Sequence, residues 1–370
     1  MARVKLGNVA KECRQNWSGA TKNVPVVGLE HLIPGDVTLS KWGDSSDNTF
    51  TKKFEKGQVL LGRRRVYLKK AVLAPFDGIC SGDITVIESL PDKILPELLP
   101  FVIQNDRFFD YAEQGSAGSL SPRVKWEHLK DYEFELPSLS EQKKLSDELW
   151  AAYRLKQSYQ ALIVATDELV KSRFFEQFSK PEITRVPLID LCSLFIDGDW
   201  IEAKDQSDSG YRLVQTGNVG VCEYLDKKDH SRFVSEETFK RLNCTEIHSG
   251  DILFSRLPDP IGRCCIIPKD FPKAITAVDC TITRLKDNCL PEYLMIYTTT
   301  TMYSEQIKKC VTGTTRQRIS RGNLAKITIP LPDKMKQVGF VNLVHQADKS
   351  KFELKQAIEK INKVMRALLQ

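Results

Sequence analysis

Apolar residues in the first third of the chain fall in short runs bounded by turn residues, at 25–29, 58–62, 70–75 and 83–87, and this pattern predicts strands. Helical spacing is interposed, most clearly from Pro96 to Tyr111 and again from Pro291 to Lys309. From Ser140 the texture changes, because no Gly or Pro occurs through Phe178, a run of 39 residues. Leu145, Leu149, Ala152, Leu155, Tyr159, Leu162 and Leu169 recur there at steps of three, four or seven, which predicts one long helix capped by Ser138 or Ser140. Residues 333–370 have the same character, with a heptad seam at Leu354, Ile358, Ile361, Met365 and Leu368. At about 1.5 Å per residue each helix reaches roughly 55 Å, more than one domain needs. Two such stripes most simply pack on each other. The bland alternative is two unrelated helices, each covering its own domain.

The chain also repeats itself. Residues 113–145 align without a gap on 308–340, superposing Gly118 on Gly313, Arg123 on Arg318, Leu129 on Leu324, Phe134 on Ile329, Pro137 on Pro332 and Gln142 on Gln337. Looser echoes keep the same order: 54–61 with 247–254, 95–99 with 290–294, and 27–32 with 214–219. The period is domain-sized, far longer than a solenoid repeat. A tandem duplication follows, and a duplicated protein reads something twice. Residues 1–139 and 183–332 are the two globular copies, and 140–182 and 333–370 the long helices, with Lys180-Pro181-Glu182 as the joint.

Charge changes the picture only locally. The net charge of +6 is mild, and residues 183–332 carry 20 Lys and Arg against 19 Asp and Glu. Any nucleic-acid contact must therefore come from clusters. The ten cysteines include no C-x-x-C pair and no histidine at zinc-ligand spacing, so they read as reduced thiols and not as a metal site or disulfide framework. No apolar run reaches the roughly 18 residues of a membrane span, and the N-terminus lacks an apolar signal segment; a soluble, cytoplasmic protein is expected.

Three further segments carry a resemblance. They are Gly57 to Gly62 running into Arg65 to Ala74, Gly313 to Ile319 leading to Leu324 and 329–332, and the proline-to-Glu-Gln start of the first long helix, Pro137 to Gln142. In this order, duplicated and spaced by long helices, they resemble the specificity (S) subunit of type I restriction-modification systems, over nearly the whole chain. The resemblance implies an α+β fold: two tandem α/β target-recognition domains joined by two long helices in an antiparallel coiled coil, a pseudo-two-fold internal repeat. It implies a non-catalytic DNA-recognition subunit, each domain reading one half of a bipartite target while the helices set the gap. Two methyltransferase (M) subunits dock on the helices, and restriction (R) subunits can join them. S-adenosylmethionine, ATP and Mg are then expected on the partners and no cofactor on this chain. Glu141, Gln142 and Gln337 become the docking candidates. Lys336 stands where the first copy has Glu141, and Leu120-Ser121-Pro122 where the second has Thr315-Arg316-Gln317, so the copies are not equivalent. A different reading is a non-catalytic coiled-coil scaffold, such as an orphan S-like protein without DNA-modifying partners.

For DNA contact the strongest cluster is Arg63, Arg64 and Arg65 with Lys69 and Lys70, just after a predicted strand, where guanidinium forks can meet phosphates or guanine edges. The plain alternative is a solvated hairpin tip. Arg256 and Arg263 stand at the matching place in the second copy, with different neighbours. Arg316, Arg318 and Arg321 form another cluster, although Arg318 recurs as Arg123 and so serves either DNA or the shared fold. Trp42, Tyr67 and Trp200 nearby read as packing residues. Pro332-Asp333 with Glu353-Leu354-Lys355 matches a loose metal-nuclease pattern, but helical rise sets the Asp roughly 30 Å from the other two. No phosphate-binding Gly-rich loop and no Asn-Pro-Pro-aromatic motif of adenine methyltransferases occurs.

Overall fold

The computed structural model describes residues 2–44, 49–118, 120–313 and 317–369. They form two compact units, Met1–Ala161 with Leu354–Gln370, and Leu162–Glu353. Each unit is built on a four-stranded antiparallel sheet of the same order. In the first, Ala10–Cys13, Ile84–Ser89, Val59–Gly62 and Ala71–Leu73 lie side by side. In the second the strands are Cys192–Asp197, Cys280–Leu285, Ile252–Ser255 and Cys264–Ile266.

The central strand reads as an unbroken apolar run because both of its faces are buried. Alternate side chains of a strand point to opposite faces, so Val59 and Leu61 enter one core and Leu60 the other; Ile252 and Phe254 part from Leu253 in the same way. The turn before this strand is also repeated. Gln58 N–H donates to Glu55 O and Asp251 N–H to His248 O, while the side chains of Gln58 and Asp251 accept from the N–H of Glu55 and His248. Between them Gly57 and Gly250 take φ of +88° and +90°, a conformation that a Cβ disfavours.

The second sheet of each unit starts alike and ends differently. Val26–Val27 runs parallel to Gly78–Cys80, as Tyr211–Val214 does to Ala274–Thr276. The third strand is Lys52–Phe54, added beside Gly78–Cys80, in the first unit, and Phe233–Val234, added beside Tyr211–Val214, in the second. Like scaffolds thus carry unlike edges.

The helix expected over 96–111 is two helices, Leu99–Ile103 and Asp106–Gln114, and its counterpart divides into Pro291–Thr298 and Thr301–Cys310. The break is an internal N-cap in both copies. Asn105 accepts from Arg107 N–H and Thr300 from Tyr303 N–H, satisfying donors that a helix start leaves open.

The two long helices are Leu139–Phe178 and Lys334–Leu368. In the second unit Lys351 pairs with Asp167 at 2.6 Å, and Phe340 packs on Phe174 and Phe178 with ring centroids 5.4 and 5.3 Å away, so the helices run in opposite directions there. In the first unit Met365, Leu368 and Leu369 close on the core that holds Leu149 and Tyr153. Tyr153 Oη also accepts from the N–H of Val37 and Thr38, fastening a loop to the helix. No helix among the described residues is long and apolar enough to cross a membrane.

Candidate nucleic-acid interface

Whether a basic side chain can meet DNA depends on what already holds its donors. Arg64 donates to Ser121 Oγ and lies 3.6 Å from Asp83. Lys69 is paired with Asp106 at 2.6 Å, and Lys70 donates to the carbonyl of Leu29. Arg63 differs. Its backbone is fixed between Asp83 O and Val124 N–H, but its guanidinium has no hydrogen bond among the described residues; its Nε is buried and unpaired, as are those of Arg64 and Arg256. Arg65 is exposed, with its backbone in the left-handed region at φ 53°, at the head of the short turn Val66–Leu68. The cluster is thereby divided: Arg63 and Arg65 are open, while Arg64, Lys69 and Lys70 are engaged within the unit.

Arg63 faces a polar cleft of about 740 Å³ lined also by Glu12, Arg14, Asn16, Lys52, Lys125 and Glu127. Arg14 bridges Glu12 at 2.7 Å and Glu127 at 2.9 Å, and Lys52 donates to Ile84 O, with burial pulling its pKa down. Sequence reasoning missed Arg14, Lys52, Lys125 and Glu127, because strand pairing rather than sequence proximity gathers them. On the far side of the same loop Arg123 clamps Asp83 through Nε at 2.7 Å and Nη2 at 3.2 Å, and this guanidinium holds the carboxyl below the usual range.

The second unit uses the matching positions otherwise. Arg256, like Arg63, takes its backbone bonds from the start of the next strand and from the repeat segment, here Asp279 O and Ile319 N–H. Its side chain, however, is only 11% exposed, donates to Val278 O and lies 3.3 Å from Asp197. Arg263 gives its donors to four carbonyls, those of Val219, Leu257, Pro260 and Thr216. These two were expected at the DNA surface. In this structure most of the Arg263 donors are taken by its own loop, whereas Arg256 is engaged through one terminal nitrogen and its Nε lacks a hydrogen bond. Arg318 is exposed, and its backbone exchanges hydrogen bonds with Thr312 as that of Arg123 does with Ala117. Arg321 leans toward Asp197 at 4.0 Å, and Arg316 lies outside the described residues. Of the aromatic residues, Trp42 packs edge-on to Phe76, while Tyr67 and Trp200 are exposed.

The docking candidates also separate. Gln142 is buried, accepts from Leu95 N–H and donates to Lys93 O and Pro137 O. Gln337 makes the same three bonds 195 residues on, with Leu290 N–H, Asn288 O and Pro332 O. Both amides fix the start of a long helix to its own unit. Glu141 is exposed and accepts from Ser138 N–H and Oγ, a cap that its counterpart Lys336 replaces with Asp333 accepting from Lys336 N–H.

Residues 182–364 match the type I restriction modification DNA specificity domain. The second half of the chain belongs to the type I restriction-modification specificity family. A curated relative, the EcoDI specificity subunit of the type I restriction enzyme from Escherichia coli, is 26% identical over 131 residues, which is 35% of this chain. The match spans about a quarter, 26%, of that relative's length. In fold, the whole chain superposes on a chain from a structural study of assembly and conformational transition in the type I R-M system, with TM-score 0.64 and 17% identity over 96% of that chain. It also superposes over its whole length on 94% of a type I restriction-modification S subunit from M. genitalium, with TM-score 0.54 and 12% identity. The superpositions show the same α+β fold, in which this chain's two long helices pack together.

Proposed function

We propose that this chain is the recognition subunit of a type I restriction-modification complex, each unit reading one half of a bipartite duplex DNA target. The observation that carries this reading is one scaffold built twice with different surfaces: the residues that follow equivalent strands are Arg63, half-buried and with no side-chain hydrogen bond among the described residues, and Arg256, held by Asp197 and Val278. A protein that reads two unlike half-sites needs that combination. The residues proposed to meet DNA are Arg63, Arg65 and Arg318, with Arg316 two positions before Arg318 in the sequence. The long helices set the gap between half-sites and carry two methyltransferase subunits, with Glu141 on the exposed face at a helix start. Catalysis belongs to those partners, which use S-adenosylmethionine, and to a restriction subunit using ATP and Mg where one is present. The chain works in the cytoplasm, beside the DNA it reads.

The engaged state of Arg256 and Arg263 favours a second reading, a scaffold that binds no DNA. A salt titration of duplex binding decides, because each phosphate contact releases counterions and log K falls with log salt at a slope of about −0.9 per contact. A slope of several units supports recognition. Absence of duplex binding at low salt, with and without a methyltransferase subunit, supports the scaffold.

A further inference from the structure

We propose that the cleft around Arg63 is where the first unit reads base edges. In this inference, which rests on the recognition reading above, Arg63 presents its guanidinium to a guanine, and Glu127 presents its carboxylate to the amino group of an adjacent cytosine or adenine. Three features of the cleft point to bases and not to phosphates alone.

The first is the state of Arg63. Its backbone is fixed on both sides, its Nε is buried without a partner, and no hydrogen bond among the described residues occupies its other donors. A guanidinium whose terminal donors are free can meet the O6 and N7 acceptors that guanine displays together in the major groove.

The second is the presence of carboxylates. A surface built only for the DNA backbone gains nothing from negative charge, yet Glu12 and Glu127 stand in this cleft beside Arg14, Lys52, Arg63 and Lys125. Glu12 is nearly buried between Arg14 and Lys52 and so serves to hold them. Glu127 is different, with its side chain 61% exposed and oriented by Arg14 at 2.9 Å. An oriented, accessible carboxylate accepts from cytosine N4 or adenine N6, and it repels phosphate. Lys125, exposed at the rim, is placed for the backbone contact that positions the reader.

The third is that the second unit fills the corresponding place with its own charges. Arg256 takes the position of Arg63, and Asp197 lies 3.3 Å from it and 4.0 Å from Arg321, the counterpart of Trp126. The open fork therefore distinguishes the first unit, and the half-site it selects contains the guanine.

The test is selection of bound sites from a randomised duplex library by the full chain with its methyltransferase partner, for wild type and for Arg63→Lys, Glu127→Gln and Lys125→Ala. Arg63→Lys keeps the charge and loses the fork. Preference for one guanine in one half-site is expected to fall about 5- to 150-fold, the equivalent of about 1–3 kcal/mol per bidentate contact, with the salt slope unchanged. Glu127→Gln is expected to relax the neighbouring position, and Lys125→Ala to lower the salt slope by about one without altering any base preference. The other half-site should be unaffected by all three. If wild type selects a bipartite site and Arg63→Lys and Glu127→Gln select the identical one, the cleft does not read bases. If wild type itself selects no sequence, it is the recognition reading that fails. Loss of both half-site preferences in Arg63→Lys would show that Arg63 supports the fold.

Discussion

Gln142 and Gln337 each spend an entire side-chain amide on three backbone groups, and both are buried. Replacing Gln337 with Leu strands one N–H and two carbonyls out of reach of water, at about 1–3 kcal/mol for each group left unpaired. The second unit should lose about 3 kcal/mol or more in denaturant unfolding; a loss below about 0.5 kcal/mol would show that the junction is held elsewhere. A second residue-scale test concerns Asp83, whose carboxyl is held low chiefly by its hydrogen bond to Arg123. A carboxyl depressed in the folded state contributes stability that is present above its unfolded pKa, about 3.9, and lost as pH falls through the lower folded value. Arg123→Ala should raise the Asp83 titration midpoint, read by NMR, and remove this share of acid sensitivity. An unmoved midpoint would mean that another group sets it. Such partnerships are not visible in a sequence. The repeat marked Gln142, Gln337 and Arg123 as important, but it could not say that the glutamines face inward or that Arg64, Arg256 and Arg263 are already engaged.

At the scale of elements the apolar pattern carried most of the fold. The Gly- and Pro-free run from Ser140 to Phe178 is one helix, and the strands appear within two residues of the apolar runs that predict them. The pattern failed where a polar cap interrupts a continuous stripe: Asn105 and Thr300 sit inside segments whose apolar spacing continues on both sides. Asn105→Ala and Thr300→Ala should each cost about 1 kcal/mol, the usual worth of such a cap. Each should act on its own unit, as hydrogen exchange over 106–114 or 301–310 would report. Equal protection in the variants and wild type would remove the caps from the account. The third strands of the small sheets escaped for another reason. Lys52–Phe54 and Phe233–Val234 are too short to carry a period.

At the scale of the whole molecule, duplication was the most legible property, and the unlike surfaces laid over it were the least. The duplication predicts that two units share a scaffold, and they share their four-stranded sheets, internal helix caps and helix junctions. It cannot predict which arginine is left unpaired, because that depends on Asp197 in one unit having no equivalent beside Arg63 in the other. If the long helices set the gap between half-sites, inserting four residues after Tyr159 adds about 6 Å and should widen the gap by one or two base pairs while the bases read stay the same. An active complex with an unchanged gap would remove the helices from that role. The most direct test of recognition itself is sequencing of modified adenines in the DNA of a strain that carries the chain with its methyltransferase partner. The account predicts one motif of two fixed half-sites separated by a constant unspecified gap. A single uninterrupted motif, or methylation that does not change when this chain is deleted, would contradict it.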